Sequence, residues 1–139
     1  MPASLMSHDV DPKQQILEKL GDTSRVEVFG SDVLVALYMR PEKTKSGIIL
    51  ADATRDEDRW QGKCGLILKL GPTAFLDEDG ERFRDIGPGD WVVFRPSDGW
   101  PVTLNSSKEG LSSRDAAVPC RVVTDIHLRL RVASPDAIY

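Results

Sequence analysis

The first part of the chain carries the apolar spacing of a short amphipathic helix, in residues 11–21 (DPKQQILEKLG). Asp11 is placed to cap this helix, Pro12 suits its first position, and Gly21 is placed to end it. The apolar residues that would share one face are Ile16, Leu17 and Leu20. A helix of about ten residues is marginal in isolation, so we expect this face to dock on the rest of the protein.

From about residue 26 onward, short apolar runs separated by turn formers replace the helical spacing. Residues 33–39 (VLVALYM) are apolar at every position, which is typical of a strand covered on both faces. We predict that a neighbouring subunit supplies part of this cover, at Val33, Val35 and Leu37. Residues 64–70 (CGLILKL) alternate instead, which predicts a half-buried strand. Its buried face would hold Cys64, Leu66, Leu68 and Leu70.

Two further apolar runs predict strands nearer the C-terminus. Residues 90–95 (DWVVFR) follow a Gly-Pro-Gly turn, and residues 121–132 (RVVTDIHLRLRV) have room for one or two strands. The connections between the runs are polar, and the pair Asp79 and Gly80 is a hairpin signal. Several short strands joined by turns predict an all-β fold, a small barrel or a sandwich, preceded by the short helix.

One connection is too long for a simple turn. Residues 40–61 carry five basic and five acidic residues, yet they contain the apolar triplet Ile48, Ile49 and Leu50. Long loops in compact domains are usually functional or disordered, and three branched aliphatic side chains are costly to leave in water. The triplet is therefore either a short strand or plug of the same core, or a segment that binds a partner. A second long connection, residues 105–117, has no such triplet and predicts a solvated linker.

The composition is that of one ordinary globular domain, with 139 residues, 29% charged residues and a formal net charge of −4. The charge is spread along the chain, so no segment has the basic excess that binding to nucleic acid requires. The sequence contains neither a run of about eighteen apolar residues nor an apolar stretch behind a basic N-terminus. We therefore expect a cytoplasmic protein with no nucleic-acid or membrane partner.

The residue sets that catalysis would need are missing from the sequence. The two histidines, His8 and His127, fall in the N-terminal segment and in a predicted strand, and no nucleotide-binding or zinc-protease motif is present. Cys64 and Cys120 lie far apart without metal-ligand spacing, which predicts two buried thiols. We expect no enzyme activity, no metal site and no cofactor.

Four motifs, in the right order, resemble the GroES-type co-chaperonins. Residues 32–50 (DVLVALYMRPEKTKSGIIL) resemble the first strand and mobile loop of that family, and residues 61–71 (QGKCGLILKLG) resemble its return strand. Residues 78–81 (EDGE) and 86–94 (IGPGDWVVF) resemble the hairpin over the ring opening and the strand that follows it. The closing strand of the family is similar to residues 129–138 (RLRVASPDAI).

The resemblance implies a partly open β-barrel that assembles into a ring of seven subunits, caps an ATP-driven chaperonin of the GroEL type and assists protein folding. In that family the loop tripeptide binds the chaperonin, and the first and last strands of neighbouring subunits pair around the ring. The residues assigned in this way are Gly47, Ile48, Ile49 and Leu50 for the chaperonin contact and Glu78, Asp79 and Gly80 for the roof hairpin.

Two stretches have no counterpart in the family: residues 1–31, an extension with the short helix, and residues 97–119, an insertion within the GroES-like domain of residues 32–139. The alternative function is therefore a structural virion or assembly protein, phage-encoded and located in the particle, which uses the same barrel to hold a coat or neighbouring subunit. A remnant of the GroES-like domain of zinc-dependent alcohol dehydrogenases is a poor third interpretation, because the chain has no nucleotide-binding half and no zinc-ligand cluster.

Overall fold

The computed structural model describes residues 11–39, 63–76, 80, 85–111 and 116–138. Within these residues the chain forms one α-helix and six β-strands, which confirms the predicted all-β fold with a short N-terminal helix. The elements are α1 (Pro12–Leu20), β1 (Asp32–Leu37), β2 (Cys64–Leu70), β3 (Trp91–Val93), β4 (Trp100–Asn105), β5 (Ala117–Thr124) and β6 (Leu130–Val132).

The six strands form one antiparallel sheet in the order β4-β5-β1-β2-β3-β6. Its centre is β1, which pairs with β5 along one edge and with β2 along the other. Among the described residues, the outer edges of β4 and β6 have no strand partner. An open antiparallel sheet of this kind is the predicted partly open barrel.

Each face of the sheet is covered by its own apolar cluster. The helix-side cluster holds Leu34 of β1 together with Leu20 of α1. The cluster on the other face is covered by the connection between β5 and β6, which we call the crossover connection, and Leu128 of this connection packs against it. We call this second cluster the crossover-side cluster. The residues of β1 in the crossover-side cluster are Val33, Val35 and Leu37, each at most 3% exposed.

The burial of these three β1 side chains gives a different reason for the apolar run of residues 33–39 than a subunit interface. Val33, Val35 and Leu37 are predicted at a subunit interface, whereas the structure buries them inside their own chain. Both edges of β1 are also occupied, by β5 and by β2. The run is apolar on both faces because β1 is the central strand between two clusters, and a neighbouring subunit is not needed to cover it.

β2 is more buried than its alternating sequence predicts, because both of its faces are covered, and a β-bulge interrupts the alternation. Leu34 lies opposite Lys69 and Val35 lies opposite Ile67, so Leu68 is an extra residue in β2. Beyond the bulge the two faces exchange, and Leu70 packs against the crossover-side cluster. The prediction that Leu70 shares a face with Cys64, Leu66 and Leu68 is therefore wrong, because a two-residue period does not hold across a bulge.

The helix α1 begins and ends where the sequence predicts, but Asp11 makes no side-chain capping hydrogen bond and only part of the predicted face is buried. Gly21 follows it at φ +73°, a conformation that favours glycine. Leu20 is 1% exposed and Ile16 packs beside it, whereas Leu17 is 44% exposed. The helix is thus anchored mainly at its C-terminal end.

The surface that receives α1 belongs to the hairpin of β4 and β5. The sequence did not indicate β4, because none of its side chains is fully buried and because Pro101 has no backbone N–H group to donate to a neighbouring strand. β4 nevertheless pairs with β5 along its whole length. Directly after β4, the backbone N–H of Ser107 donates to the carbonyl of Leu20 at 3.0 Å. The range predicted as an insertion, with its solvated linker, therefore contains a strand and the contact that holds the helix.

Candidate partner-binding surfaces

One end of the sheet carries the described borders of residues 40–62, and we call it the loop end. There β1 ends opposite the start of β2, with Leu37 paired to Gly65. The backbone N–H of Tyr38 donates to the carbonyl of Cys64 at 2.9 Å, which holds the two strands together at their last residues. The predicted chaperonin-contact residues Gly47, Ile48, Ile49 and Leu50 lie outside the described residues, but both ends of their segment lie at this position.

The opposite end of the sheet, the turn end, carries the borders of residues 77–84. The N–H of Gly71 donates to the carbonyl of Asp32 at 2.8 Å, which brings the exit of β2 to the start of β1. Phe75 has a φ of +59°, and its N–H donates to Oδ2 of Asp125 at 2.8 Å. Of the predicted roof residues, Glu78 and Asp79 lie outside the described residues. Gly80 is exposed, has a φ of +78° and has open space around its Cα, as a turn position requires.

An apolar groove of about 380 Å³ lies between the crossover connection and the edge strand β6. Its walls include Phe75, Ile86 and Val92. Ile126 and Leu130 on its outer side are 71% and 57% exposed, which is unusual for such large apolar side chains. Asp125, Arg129 and Arg131 belong to the same lining, and Nη1 of Arg131 lies 3.6 Å from Oδ2 of Asp90. Within the described residues, the groove thus combines an apolar floor with a charged rim, which includes Arg129, beside a strand edge that has no strand partner.

The segment of residues 26–29, just before β1, has the burial pattern of a strand but joins none of the six strands of the sheet. Val26 and Val28 are half-buried against the helix-side cluster. Glu27 is exposed, and Phe29 is 71% exposed. Nζ of Lys69 donates to the carbonyl of Val26 and fixes the segment to the end of β2. The carboxylate of Glu27 and the ring of Phe29 therefore project outward from a segment that is held against the sheet.

An ion pair between the exposed Arg95 and the buried carboxylate of Asp98 closes the turn between β3 and β4. Asp98 is 6% exposed, and Nη2 of Arg95 donates to its Oδ1 at 2.9 Å. The hydrogen bonds from Arg95 lower the pKa of the Asp98 carboxyl below its ordinary value. The guanidinium of Arg121 donates to the carbonyl of Pro96 and lies 5.6 Å from the ring centroid of Phe94. These contacts are structural, since they fasten the turn to β5.

The remaining chemistry-bearing residues are embedded in the fold. Burial raises the pKa of the Cys64 and Cys120 thiols to about 12, so both are poor nucleophiles. His127 lies in the 3-10 helix Asp125–His127, which corrects its predicted place in a strand. The described part of the chain brings together no set of three or more side chains suited to hold a metal ion. In the same part, no helix has both the length and the apolar character needed to cross a membrane.

Sequence reasoning missed the groove, the edge position of β6 and the outward face of residues 26–29. The groove joins residues from four stretches of chain, so no local pattern could indicate it. The alternation Val26, Glu27, Val28, Phe29 was readable as a strand, and it is the signal that could have located this segment.

Comparison with known proteins gives matches to one family. The model of the Chaperonin 10 Kd subunit family matches residues 25–121. The protein named co-chaperonin GroES from Symbiobacterium thermophilum is 28% identical over 83 residues, which cover 60% of this chain and 81% of that protein. The co-chaperonin GroES of Listeria monocytogenes serotype 4b is 28% identical over 92 residues, covering 66% of this chain and 84% of that protein. The family match takes in both long segments at the ends of the sheet and begins after α1.

Proposed function

This chain belongs to the Chaperonin 10 Kd subunit family as a divergent GroES-type co-chaperonin, and from that premise we propose how it acts. It forms a homo-oligomeric ring, seven-membered as in the family it resembles, that caps a GroEL-type chaperonin and assists protein folding without chemistry of its own. The apolar triplet of Ile48, Ile49 and Leu50 after Gly47 contacts the chaperonin. The roof of the ring is formed by Glu78, Asp79 and Gly80.

The observation that supports this proposal is that the residues flanking the two long segments lie at opposite ends of one sheet. Residues 40–62 leave and re-enter at the loop end, between Tyr38 and Cys64. Residues 77–84 leave and re-enter at the turn end, next to Phe75 and Asp85. A cap needs one surface toward its partner and another over the enclosed space, and this arrangement supports both in a single small subunit.

For the contact around the ring, we assign residues 26–29 and β6 in place of β1. The outer edge of β6 and the groove beside it are open in the described part of the chain, and Glu27 and Phe29 point outward on the other surface. Phe29 of one copy would enter the groove of the next, and Glu27 would meet Arg129 on the charged rim. Because the two surfaces differ, the contact is head-to-tail, which closes into a ring when the rotation allows it.

A ring also explains how a short apolar triplet can be sufficient for binding. A segment that becomes ordered on binding loses conformational freedom, which weakens each single contact. Several copies held on one ring act together, since the first contact raises the effective concentration of the others. The cap would then bind firmly through many weak contacts and still exchange.

The proposal is tested with purified protein and the chaperonin of the organism that encodes this chain. Wild-type protein should run as a ring and slow the ATP turnover of the chaperonin. Ile49→Asp should lose that effect and keep the ring, because it places a charge in the apolar contact. Thr54→Asp, in the same segment but outside the triplet, is the matched control and should behave as wild type.

Two results would contradict the proposal. A wild-type ring that neither binds the chaperonin nor changes its ATP turnover would exclude the co-chaperonin function. Equal loss with Ile49→Asp and Thr54→Asp would show that the triplet is not the contact. The virion alternative gains no support from the comparisons, since the relatives described above are named co-chaperonins.

A further inference from the structure

The helix α1 and the hairpin of β4 and β5 are fastened to each other by several hydrogen bonds. The hydroxyl of Ser106 donates to the carbonyl of Lys19. The N–H of Asp22 donates to Oγ of Ser107 at 2.8 Å, and Nη2 of Arg25 donates to the carbonyl of Asn105 at 2.8 Å. We call residues 11–25 together with residues 105–111 the collar. It joins two parts of the chain that are at least 80 residues apart.

The fit at this junction leaves little space. A Cβ added to Gly21 would lie 2.2 Å from Oγ of Ser107, and the φ of Gly21 is +73°. Leu20, the residue before it, is 1% exposed within the helix-side cluster. The collar is therefore a fixed part of the subunit surface rather than a loosely attached extension, and a fixed surface can bind without a large ordering cost.

The strand register places the collar at the loop end of the sheet. Cys120 of β5 lies opposite both Ala36 of β1 and Val102 of β4. The strands β1 and β4 run in the same direction past β5, so Leu37 and Asn105 end at the same side. The collar begins at the end of β4, and residues 40–62 begin just after the end of β1. Both thus leave the sheet on the side proposed to face the chaperonin.

Within the described residues, the collar carries two large apolar side chains that are partly exposed. Leu17 on α1 is 44% exposed, and Leu111 in the hairpin connection is 42% exposed. Ile16 and Leu20 of the same helix pack inward, so α1 presents apolar residues in two directions. Charged and amide side chains surround Leu17 in sequence, which suits the edge of a protein interface better than its centre.

We propose that the collar is a second contact surface for the same chaperonin, with Leu17 and Leu111 as its apolar anchors. This inference rests on the proposed function, because its partner is the chaperonin that we propose residues 40–61 bind. Residues 11–24 lie before the family match and residues 105–111 lie within it, so only the helix part of this contact lies outside the matched region. It would add a fixed contact beside the binding segment on each subunit and increase the affinity of the ring.

Site-specific photo-crosslinking tests the placement without depending on stability. A photoreactive amino acid is introduced at position 17, 49, 100 or 111 of the full-length ring, which is then irradiated with the chaperonin and nucleotide. We expect crosslinks to the chaperonin from positions 17, 49 and 111. Position 100 is the matched control, because Trp100 is 68% exposed at the far end of β4, and we expect no chaperonin crosslink from it.

The outcomes separate the two proposals. Crosslinks from position 49 but not from 17 or 111 would overturn the collar contact and leave the proposed function in place. Crosslinks from 17 or 111 to a second copy of this chain would assign the collar to the ring and also overturn it. No chaperonin crosslink from any position, together with no effect on ATP turnover, would overturn the proposed function itself.

Affinity measurements give a second readout. The double variant Leu17→Asp with Leu111→Asp should bind the chaperonin about tenfold more weakly, since two half-exposed leucines lose their burial, and should keep the ring mass. Gln14→Asp with Gln15→Asp, two exposed polar positions on the same helix, is the control and should change affinity less than about twofold. Equal affinity of the leucine variant and the wild type would contradict the collar contact.

Discussion

Two neighbouring segments of this chain have similar sequences and opposite environments. Residues 26–29 read Val-Glu-Val-Phe, and β1 begins a few residues later with Val33 and Val35. β1 is paired on both edges and buried on both faces. Residues 26–29 are buried on one side only and stand outside the sheet. The difference lies in their neighbours. β1 pairs with β2 and β5, which come much later in the chain, whereas residues 26–29 precede the first strand and pair with none of the six strands.

The contrast separates folding from assembly. A change in β1 should lower the stability of the subunit, because the side chains of residues 33–37 are buried. A change in the outward face of residues 26–29 should act on the association of subunits. The following predictions test that separation, beginning with the largest effect.

Val35→Asp should prevent folding. It places a carboxylate at a position that is 0% exposed and surrounded by the crossover-side cluster, and an unpaired buried charge costs about 4 kcal/mol or more. Circular dichroism in increasing denaturant measures the loss. The two thiols should react with a disulfide reagent at neutral pH in this variant and remain protected in the wild type. A folded Val35→Asp subunit would remove the distinction between the two segments.

Phe29→Asp should dissociate the ring and leave the subunit folded. The ring contact would lose the burial of one aromatic side chain, worth about 2 kcal/mol at each interface, while an exposed position changes subunit stability by only about 0.5 kcal/mol. Native mass spectrometry reports the assembly, and thermal unfolding reports the subunit. Trp100→Asp, also at an exposed aromatic position, is the control and should keep the ring. An intact ring with Phe29→Asp would exclude this segment as the interface.

Alkaline pH should destabilise the subunit through the thiols that flank β1. Burial raises the pKa of Cys64 and Cys120 from an ordinary value of 9.0 to about 12. A raised folded-state pKa means that the stabilisation is complete below pH 9 and is lost as the pH rises toward 12. At pH 10, one unit above the ordinary value, each thiol lowers the free energy of unfolding by about 1.4 kcal/mol.

Denaturant unfolding between pH 7 and pH 10.5 measures this loss. The double variant Cys64→Ala with Cys120→Ala should have a flatter pH profile than the wild type. Phe29→Asp should keep the wild-type profile, because the exposed Phe29 is not part of the helix-side cluster that holds both thiols. An equally steep profile in the double alanine variant would show that other groups govern the alkaline limb.

The smallest effect is expected from the charges across the ring contact. Glu27→Lys or Arg129→Glu alone should weaken association by about 0.5 kcal/mol per interface, as for exposed ion pairs. The double variant restores opposite charges and should recover part of the loss. Sedimentation at low and high salt measures the association, and the difference should shrink in high salt. Additive losses in the double variant would mean that Glu27 does not face Arg129.

Much of the fold could be predicted from local patterns. The cap, proline and glycine around α1 and the apolar runs of β1, β2 and β3 all gave elements that the structure confirms. The bulge at Leu68 and the strand β4 could not be predicted, because both depend on pairing with distant residues. The same limit applies to β1, since an apolar run indicates a covered strand but does not say which chain covers it.

The candidate site divides in the same way. The binding triplet and the roof hairpin were assigned by their resemblance to a family, and they remain predictions, on residues that apart from Gly80 lie outside the described ranges. The groove and the collar are formed by contacts between segments far apart in sequence, such as Leu20 with Ser107. No window of the sequence contains both partners of such a contact.

The central place of β1 also has a kinetic consequence. Asp32 pairs with Thr124, 92 residues later, so β1 cannot complete its pairing until the last third of the chain has been synthesised. Folds dominated by such distant pairings form slowly. A strand that is apolar on both faces is prone to aggregate as long as it is unpaired. The order of synthesis therefore leaves a protein proposed to assist folding with a vulnerable interval in its own.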